Sequence, residues 1–336
     1  MRVRVVIPCR NEAKYIERCL MSLVHADRDG VHVEVQVCDG LSDDGTMDII
    51  DRIGADHRWI RRVDNPDRTT PHAMNLGLKP AGYDVGVILG AHAEVDRAFI
   101  RENLRALAEH PEAGCVGGII ENVYDDVTSR RIGAAMGHPF GVGSAHFRTG
   151  AKEGEVDTVA FGAYRRQVFE RIGYFDERLV RNQDDEFNYR VLRSGWKIIL
   201  DRRIRSKYYV RASYSRLFRQ YRQYGYWKVY VNRSHGSITT LRQLVPAAFV
   251  AFVVAGGSAS LLWPPLLWPY LAGLASYLTA AVGSAFRAAA TPADAPGVWW
   301  TFLLLHSAYG GGYLHGIWDF LVLRREPRSQ AHALTR

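Results

Sequence analysis

The segment Arg2-Val-Arg-Val-Val-Ile-Pro-Cys-Arg-Asn-Glu12, read together with Val31-His-Val-Glu-Val-Gln-Val-Cys38 and the turn Asp39-Gly-Leu-Ser-Asp-Asp-Gly-Thr46, decides the fold. Arg2–Ile7 reads as a strand and Glu12–His25 as a helix whose Ile16, Cys19, Leu20 and Leu23 share one face. Val31–Cys38 is a second strand, and the turn after it leads into an amphipathic helix over Met47–Ile53. Further along, the buried strand Val85–Leu89 precedes Gly90-Ala-His-Ala-Glu94, and helix signals resume near Arg97–His110. Strands alternating with helices predict an α/β domain with a parallel sheet covered on both faces. Ligands of such sheets sit beyond the carboxyl ends of the strands, so the residues just after each strand are the first functional candidates.

Working outward, the chain of 336 residues has room for a large core without disulfides. Its four cysteines, Cys9, Cys19, Cys38 and Cys115, form no CxxC pair and have no histidine at metal spacing, which points to a reducing compartment. The N-terminus carries too few consecutive apolar residues for a signal-peptide core, so the first part is expected in the cytoplasm. The formal charge of +8 is unevenly spread: residues 196–233 hold eleven Lys or Arg against Asp201 alone. Directly after it, residues 244–323 carry only Arg287, Asp294 and Asp319. A basic stripe before an apolar region suits anionic lipid headgroups or phosphorylated substrates and argues against nucleic acid as partner. Three apolar segments, Leu244–Leu262, Leu266–Phe286 and Val298–Leu323, each approach the length that spans a bilayer, with Trp263, Trp268, Trp299 and Trp300 placed as an aromatic belt. Three spans would put Arg324, Arg325 and Arg328 outside, so one segment is expected to be re-entrant or interfacial. The glycine-rich stretch Met136–Asp157 reads as a long loop, the kind that covers a site.

Val6-Ile-Pro-Cys-Arg-Asn-Glu12 with Val37-Cys-Asp-Gly-Leu-Ser-Asp-Asp-Gly-Thr46 resembles the nucleotide-sugar-binding half of family 2 glycosyltransferases, which have a Rossmann-like GT-A fold. The resemblance implies that Pro8, Asn11, Glu12 and Asp39 grip the nucleoside, a task a carboxylate suits because it accepts from a base N–H or a ribose hydroxyl. Asn65-Pro-Asp-Arg68 and His72-Ala-Met-Asn-Leu-Gly77 match the segment beside the diphosphate, with Arg68 as the phosphate contact and Asn75 as a cap or buttress. Ala91 completes the donor set. The family carries Asp-x-Asp after the strand corresponding to Val85–Leu89, whereas this chain reads Gly90-Ala91-His92. With Glu94 and Asp96 following at spacing two, His92 and Glu94 are the candidate ligands of a divalent ion, Mn²⁺ or Mg²⁺.

Gly173-Tyr-Phe-Asp-Glu177 and Gln183-Asp-Asp-Glu-Phe-Asn-Tyr-Arg190 resemble the family's acceptor and general-base region. There Asp184 falls on the base, with Asp185 as fallback, and Glu186, Phe187 and Arg190 complete the match. Phe161 and Gly162 of Phe161-Gly-Ala-Tyr-Arg-Arg166 join the acceptor side. The basic helix containing Arg219, Gln220, Arg222 and Tyr224 is similar to the Gln-x-x-Arg-Trp-type helix of membrane-bound members, which contacts diphosphate or lipid diphosphate. Likeness to succinoglycan-type exopolysaccharide glycosyltransferases spans about residues 1–235.

These readings divide the chain into a GT-A domain (1–210), basic amphipathic interfacial helices (211–240), a membrane region (241–323) and a basic tail (324–336). They imply a multi-pass protein of the inner membrane whose cytoplasmic domain moves a sugar, with inversion, from a nucleotide-sugar such as a UDP-sugar. The acceptor is expected to be a polyprenyl-diphosphate-linked glycan intermediate. The rivals are a polyprenyl-phosphate sugar synthase and a noncatalytic nucleotide- or lipid-binding assembly component, the latter motivated by Gly90.

Overall fold

The computed structural model describes residues 1–143, 145–210, 212–239 and 241–327. Residues 328–336 of the basic tail lie outside the described residues, as does Arg211 at the domain boundary. Two compact units result, and the division is not a single cut: residues 1–122 and 146–209 form one, while 123–143 and 145 join the described residues between 210 and 327.

The first unit holds nine strands: β1 Arg2–Cys9, β2 His32–Asp39, β3 Ile60–Asp64, β4 Val85–Ile88, β5 Ala93–Val95, β6 Ala113–Val123, β7 Gly154–Glu155, β8 Ala160–Arg165 and β9 Lys197–Tyr209. Their order in the sheet is β3-β2-β1-β4-β8-β6-β9-β5, with β7 on β9. The β3-β2-β1-β4 half is parallel, each crossover carrying a helix (Ile16–Val24, Thr46–Asp56, Thr70–Leu78). The other half is antiparallel, β8 against both β4 and β6, and β9 against β5 and β7. A wholly parallel sheet is therefore corrected to a mixed one. The physical reason is visible along Arg203–Lys207 of β9, where exposed Arg203, Arg205 and Lys207 alternate with buried Ile204 and Ser206. Such alternation belongs to a strand solvated on one face, an antiparallel trait. Three of the eleven basic residues of the stripe are thus on the wet face of a strand.

Two apolar cores cover the sheet. One joins Val5, Ile7, Val35 and Val37 to the helices Ile16–Val24 and Phe99–Glu109; the other gathers Leu78, Phe169, Phe175 and Phe187 on the opposite face. All four cysteines are free and buried. Burial pushes the Cys19 and Cys38 thiols up to about 12, so they stay protonated.

In the second unit a single helix, Tyr214–His235, runs along the helix Ala295–Gly316. Glycines permit the approach: a methyl group at Gly225 would lie 2.0 Å from the Tyr309 carbonyl oxygen, and one at Gly312 would lie 2.0 Å from that of Arg222. The C-terminal half of the basic helix is consequently core, with Trp227, Val229 and Val231 buried. Leu241–Leu262 and Pro264–Ala288 are long and apolar enough to cross a membrane, with mean hydropathy 1.9 and 1.3 and only 11% and 6% of their apolar windows buried. The third apolar segment differs. Its Val298, Phe302 and Leu305 are buried against neighbouring helices, and it is not among the helices that meet that length and apolarity, so three candidate spans are corrected to two. The helix Val127–Met136, capped by Asp126 and Ser129, packs in this unit as well; Arg130 and Arg131 both pair with buried Asp294, at 2.9 Å and 3.1 Å.

Candidate active site

β1 and β2 run parallel with Pro8 opposite Cys38 and Cys9 opposite Asp39, so the turns that leave them lie side by side. Two hydrogen-bond relays stitch these turns together. The Asn11 N–H donates to Ser42 Oγ at 2.8 Å, the Ser42 hydroxyl donates to Asp39 Oδ1, and Asp39 Oδ2 accepts from the Ser42 N–H at 2.9 Å. One step further, the Glu12 N–H donates to Thr46 Oγ1 at 2.9 Å, the Thr46 hydroxyl donates to Asp44, and Asp44 accepts from the Ala13 N–H at 3.2 Å. Burial alone would raise the Asp44 carboxyl, but the bonds from Thr46 and Ala13 outweigh it and hold the carboxyl below its usual value. Asp39 is fully buried, and both of its carboxylate oxygens accept from Ser42, which shapes the Gly40-Leu41-Ser42 turn. Pro8 is half-buried at the strand end, while the Asn11 side chain is exposed and accepts from the Asp43 N–H at 3.1 Å.

Backbone strain marks the same region. Among the described non-glycine residues six have φ in the left-handed range, and Asn11, Leu41, Arg68, Phe161 and Asn182 all sit in or beside the motif segments. Arg68 is exposed in a turn whose Asn65 N–H donates to the Asp39 carbonyl at 2.7 Å. Asn75 is a buttress: it donates to the Phe175 carbonyl at 2.9 Å and to Glu177 at 2.7 Å, and accepts from the Phe175 N–H at 3.0 Å. Lys79 and His72 also face Glu177. The Thr70–Leu78 helix thus holds the loop that precedes Asp184.

The chain's side chains do not fit the divalent ion that the resemblance implies. At Gly90 a Cβ would sit 3.1 Å from the ring of Phe161, so an aromatic side chain stands where a carboxylate would begin. Glu94, second of the candidate ligands, accepts the Tyr209 hydroxyl, and Tyr209 is stacked on Tyr15 and covered by Arg18. His92 has its Nδ1 at 3.5 Å from Glu12 and its ring edge-on to Tyr208. Asp96 turns to cap the Ala98 N–H at 2.9 Å. Among the described residues no group of three or more His, Cys, Asp or Glu is gathered that could hold a metal. Ala91 is buried beside these residues, with no polar side chain to offer.

The helix Gln183–Arg193 begins at Asn182, which has φ +62°. Asp184 is exposed on its first turn and accepts from the Asp185 N–H at 2.9 Å, while Asp185 is half-buried. Beneath them Phe187 stacks between Phe175 and Phe169, at centroid distances of 4.4 Å and 5.2 Å, which fixes the helix on the sheet. Glu186 and Arg190 form a clamp at the base of this helix. Arg190 donates to both oxygens of buried Glu186 and to the carbonyls of Ile172 and Tyr174, so its guanidinium is committed to the loop. At Gly162 a Cβ would lie 2.8 Å from Cys115 Sγ, so packing requires the glycine, and Phe161 belongs to the Gly90 wall. Arg219, Gln220, Arg222 and Tyr224 lie in the second unit; Arg219 and Arg222 are exposed, and Gln220 donates to the Tyr224 hydroxyl at 2.7 Å.

Residues 4–173 match the family model of glycosyl transferase family 2. The chain is 32% identical over 231 residues to the dolichyl N-acetyl-α-D-glucosaminyl phosphate 3-β-D-2,3-diacetamido-2,3-dideoxy-β-D-glucuronosyltransferase of Methanococcus voltae, covering 66% of this chain and 71% of the relative. It is 28% identical to the succinoglycan biosynthesis protein ExoA of Rhizobium meliloti (strain 1021), over 73% and 74% of the two chains. This chain belongs to glycosyl transferase family 2, and it is a glycosyltransferase. Its fold is shared with the mannosyltransferase PcManGT of Pyrobaculum calidifontis, solved with GDP-Man and Mn²⁺, at a TM-score of 0.57 with 19% identity over 94% and 87% of the chains. Residues 1–349 of TarS from S. aureus give a TM-score of 0.52 with 14% identity over 98% and 93%.

Proposed function

We propose that this protein is a membrane-anchored, inverting glycosyltransferase that transfers a sugar from a nucleotide-sugar, UDP-linked in our reading, to a sugar already carried on a polyprenyl phosphate or diphosphate, in exopolysaccharide or cell-envelope glycan synthesis. The observation that carries the proposal is the exposed carboxylate of Asp184, mounted on a helix that the Phe169–Phe187–Phe175 stack and the Glu186–Arg190 clamp hold rigid. The name of the Methanococcus relative describes a lipid-phosphate-linked acceptor, and that of the Rhizobium relative an exopolysaccharide, which supports this acceptor class. Two apolar helices with little buried surface support anchoring, with the first unit in the cytoplasm beside its nucleotide-sugar pool.

The stitched turns after β1 and β2 bind the nucleoside, with Asp39 acting through the shape of the Gly40–Ser42 turn and Arg68 facing phosphate. Asp184 takes the proton of the acceptor hydroxyl as its oxygen attacks the anomeric carbon from the face opposite the departing nucleotide. Inversion in one displacement needs no covalent nucleophile. Release of nucleotide from a panel of nucleotide-sugars, measured with and without polyprenyl-linked acceptor in membranes, tests the reading. Acceptor-dependent release with one donor is the expected result; tight nucleotide binding without turnover on any donor would indicate an assembly component instead.

A further inference from the structure

A side chain outside the motifs stands over a ring that His92 meets. Arg148, on the short turn His146–Thr149, places its guanidinium 5.1 Å from the centre of the Tyr208 ring, the ring that His92 meets edge-on at 5.0 Å. Its Nη1 is buried and has no hydrogen-bond partner among the described residues. A buried, unpaired guanidinium nitrogen is costly unless a ligand completes it. His92 in turn lies against Glu12 of the first stitched turn, which brings Arg148 into the neighbourhood of the donor turns within the same unit.

We propose that Arg148 binds the diphosphate of the nucleotide-sugar and takes over the charge neutralisation for which no metal-holding group of three or more side chains is gathered among the described residues. The assignment rests on the donor-site reading above. As the acceptor oxygen forms its bond to the anomeric carbon, the bond from that carbon to the diphosphate oxygen breaks and its electron pair leaves with the nucleoside diphosphate. The acceptor's proton goes to Asp184, and the added negative charge on the diphosphate meets the planar donors of Arg148. Guanidinium is always charged and matches phosphate geometry, so it performs this task without titrating. His92, which lies against Glu12, meets the edge of the Tyr208 ring over which the cation sits.

Calorimetry on the full-length chain in detergent tests the proposal by comparing UDP with UMP, and GDP with GMP, in EDTA and in Mn²⁺. The expected result is that one diphosphate binds in EDTA more tightly than its monophosphate and gains less than about threefold from Mn²⁺. Arg148→Met should lower diphosphate affinity by about ten- to a hundredfold while leaving the monophosphate within twofold, and Arg148→Lys should recover part of the loss. The unchanged monophosphate affinity reports that the variant is folded. Diphosphate binding that appears only with Mn²⁺, or that survives Arg148→Met, overturns the assignment while leaving the donor site standing. Failure of every nucleotide to bind in either buffer overturns the donor site and this assignment with it.

Discussion

The backbone N–H of Asn11 donates to the hydroxyl of Ser42 at 2.8 Å, and through that hydroxyl the first strand's turn is tied to the buried carboxylate of Asp39. The relay converts two turns 31 residues apart into one surface. Its members sit at positive φ or fully buried, so the surface is rigid before any nucleotide arrives.

Asp39→Ala should therefore act on the fold as well as on binding. It leaves the Ser42 N–H and hydroxyl unpaired in a buried turn, a loss of about 1–3 kcal/mol in stability, and nucleotide affinity should fall together with it. Ser42→Ala should weaken nucleotide binding in the same direction although Ser42 carries no charge. Denaturant unfolding and calorimetry on both variants check this; normal stability with binding lost only in Asp39→Ala would show a direct contact instead.

Restoring the family's carboxylate should not restore metal use. Gly90→Asp pushes a Cβ to 3.1 Å from the Phe161 ring, so activity is expected to fall and Mn²⁺ to give no rescue. Wild-type initial rates in EDTA and in Mn²⁺ should agree within about twofold. A Mn²⁺-dependent gain of tenfold or more in the wild type would contradict the reading.

The Asn75–Glu177 contact predicts an acid-sensitive loop. The hydrogen bond from Asn75, with Lys79 and His72 adding to it, lowers the Glu177 carboxyl below its ordinary value of 4.5. A depressed folded-state value means the stabilisation is complete above pH 4.5 and is lost as the pH drops through the lower folded value. Glu177→Gln should lower stability at neutral pH and flatten its dependence below pH 4.5, read by unfolding midpoints across that window.

A fragment ending at residue 209 should keep nucleotide binding but aggregate. Removing the C-terminal helices strips the cover from the Val127–Met136 helix, whose Ile132 and Met136 are buried within the second unit. The double variant Ile132→Ser, Met136→Ser should return the fragment to the monomer peak in size-exclusion chromatography; a monodisperse unmodified fragment would contradict the division of units.

The parallel half of the sheet was legible because its strands, turns and helices follow one another locally, as in Arg2–Glu12 and Val31–Thr46. The antiparallel half was not, since β8 pairs with both β4 and β6 through contacts far apart in sequence, and only the alternation along Arg203–Lys207 signalled it. Nor was the allegiance of residues 123–145, which depends on Asp294 meeting Arg130 and Arg131 more than 160 positions away. Among the candidate site residues, motif spacing singled out Asn11, Asp39, Asn75 and Asp184, and the roles proposed for them rest on that spacing. Ser42, Asp44 and Thr46 escaped notice as the stitch, although polar residues repeating in Asp39-Gly-Leu-Ser-Asp-Asp-Gly-Thr46 are the trace it leaves. Tyr209 and Arg148 act across the fold on Glu94 and Tyr208, and no local pattern announces such contacts.

The central claim, that Asp184 is the general base, is tested most directly by turnover of Asp184→Asn and Asp185→Asn with nucleotide-sugar and lipid-linked acceptor. Asparagine preserves size and most hydrogen bonding but cannot take the proton. Asp184→Asn should reduce turnover by roughly 10²–10⁴-fold with nucleotide-sugar affinity nearly intact, and Asp185→Asn should be much milder. An inactive Asp185→Asn beside an active Asp184→Asn would move the base by one residue, and full activity in both would contradict the catalytic assignment of this helix.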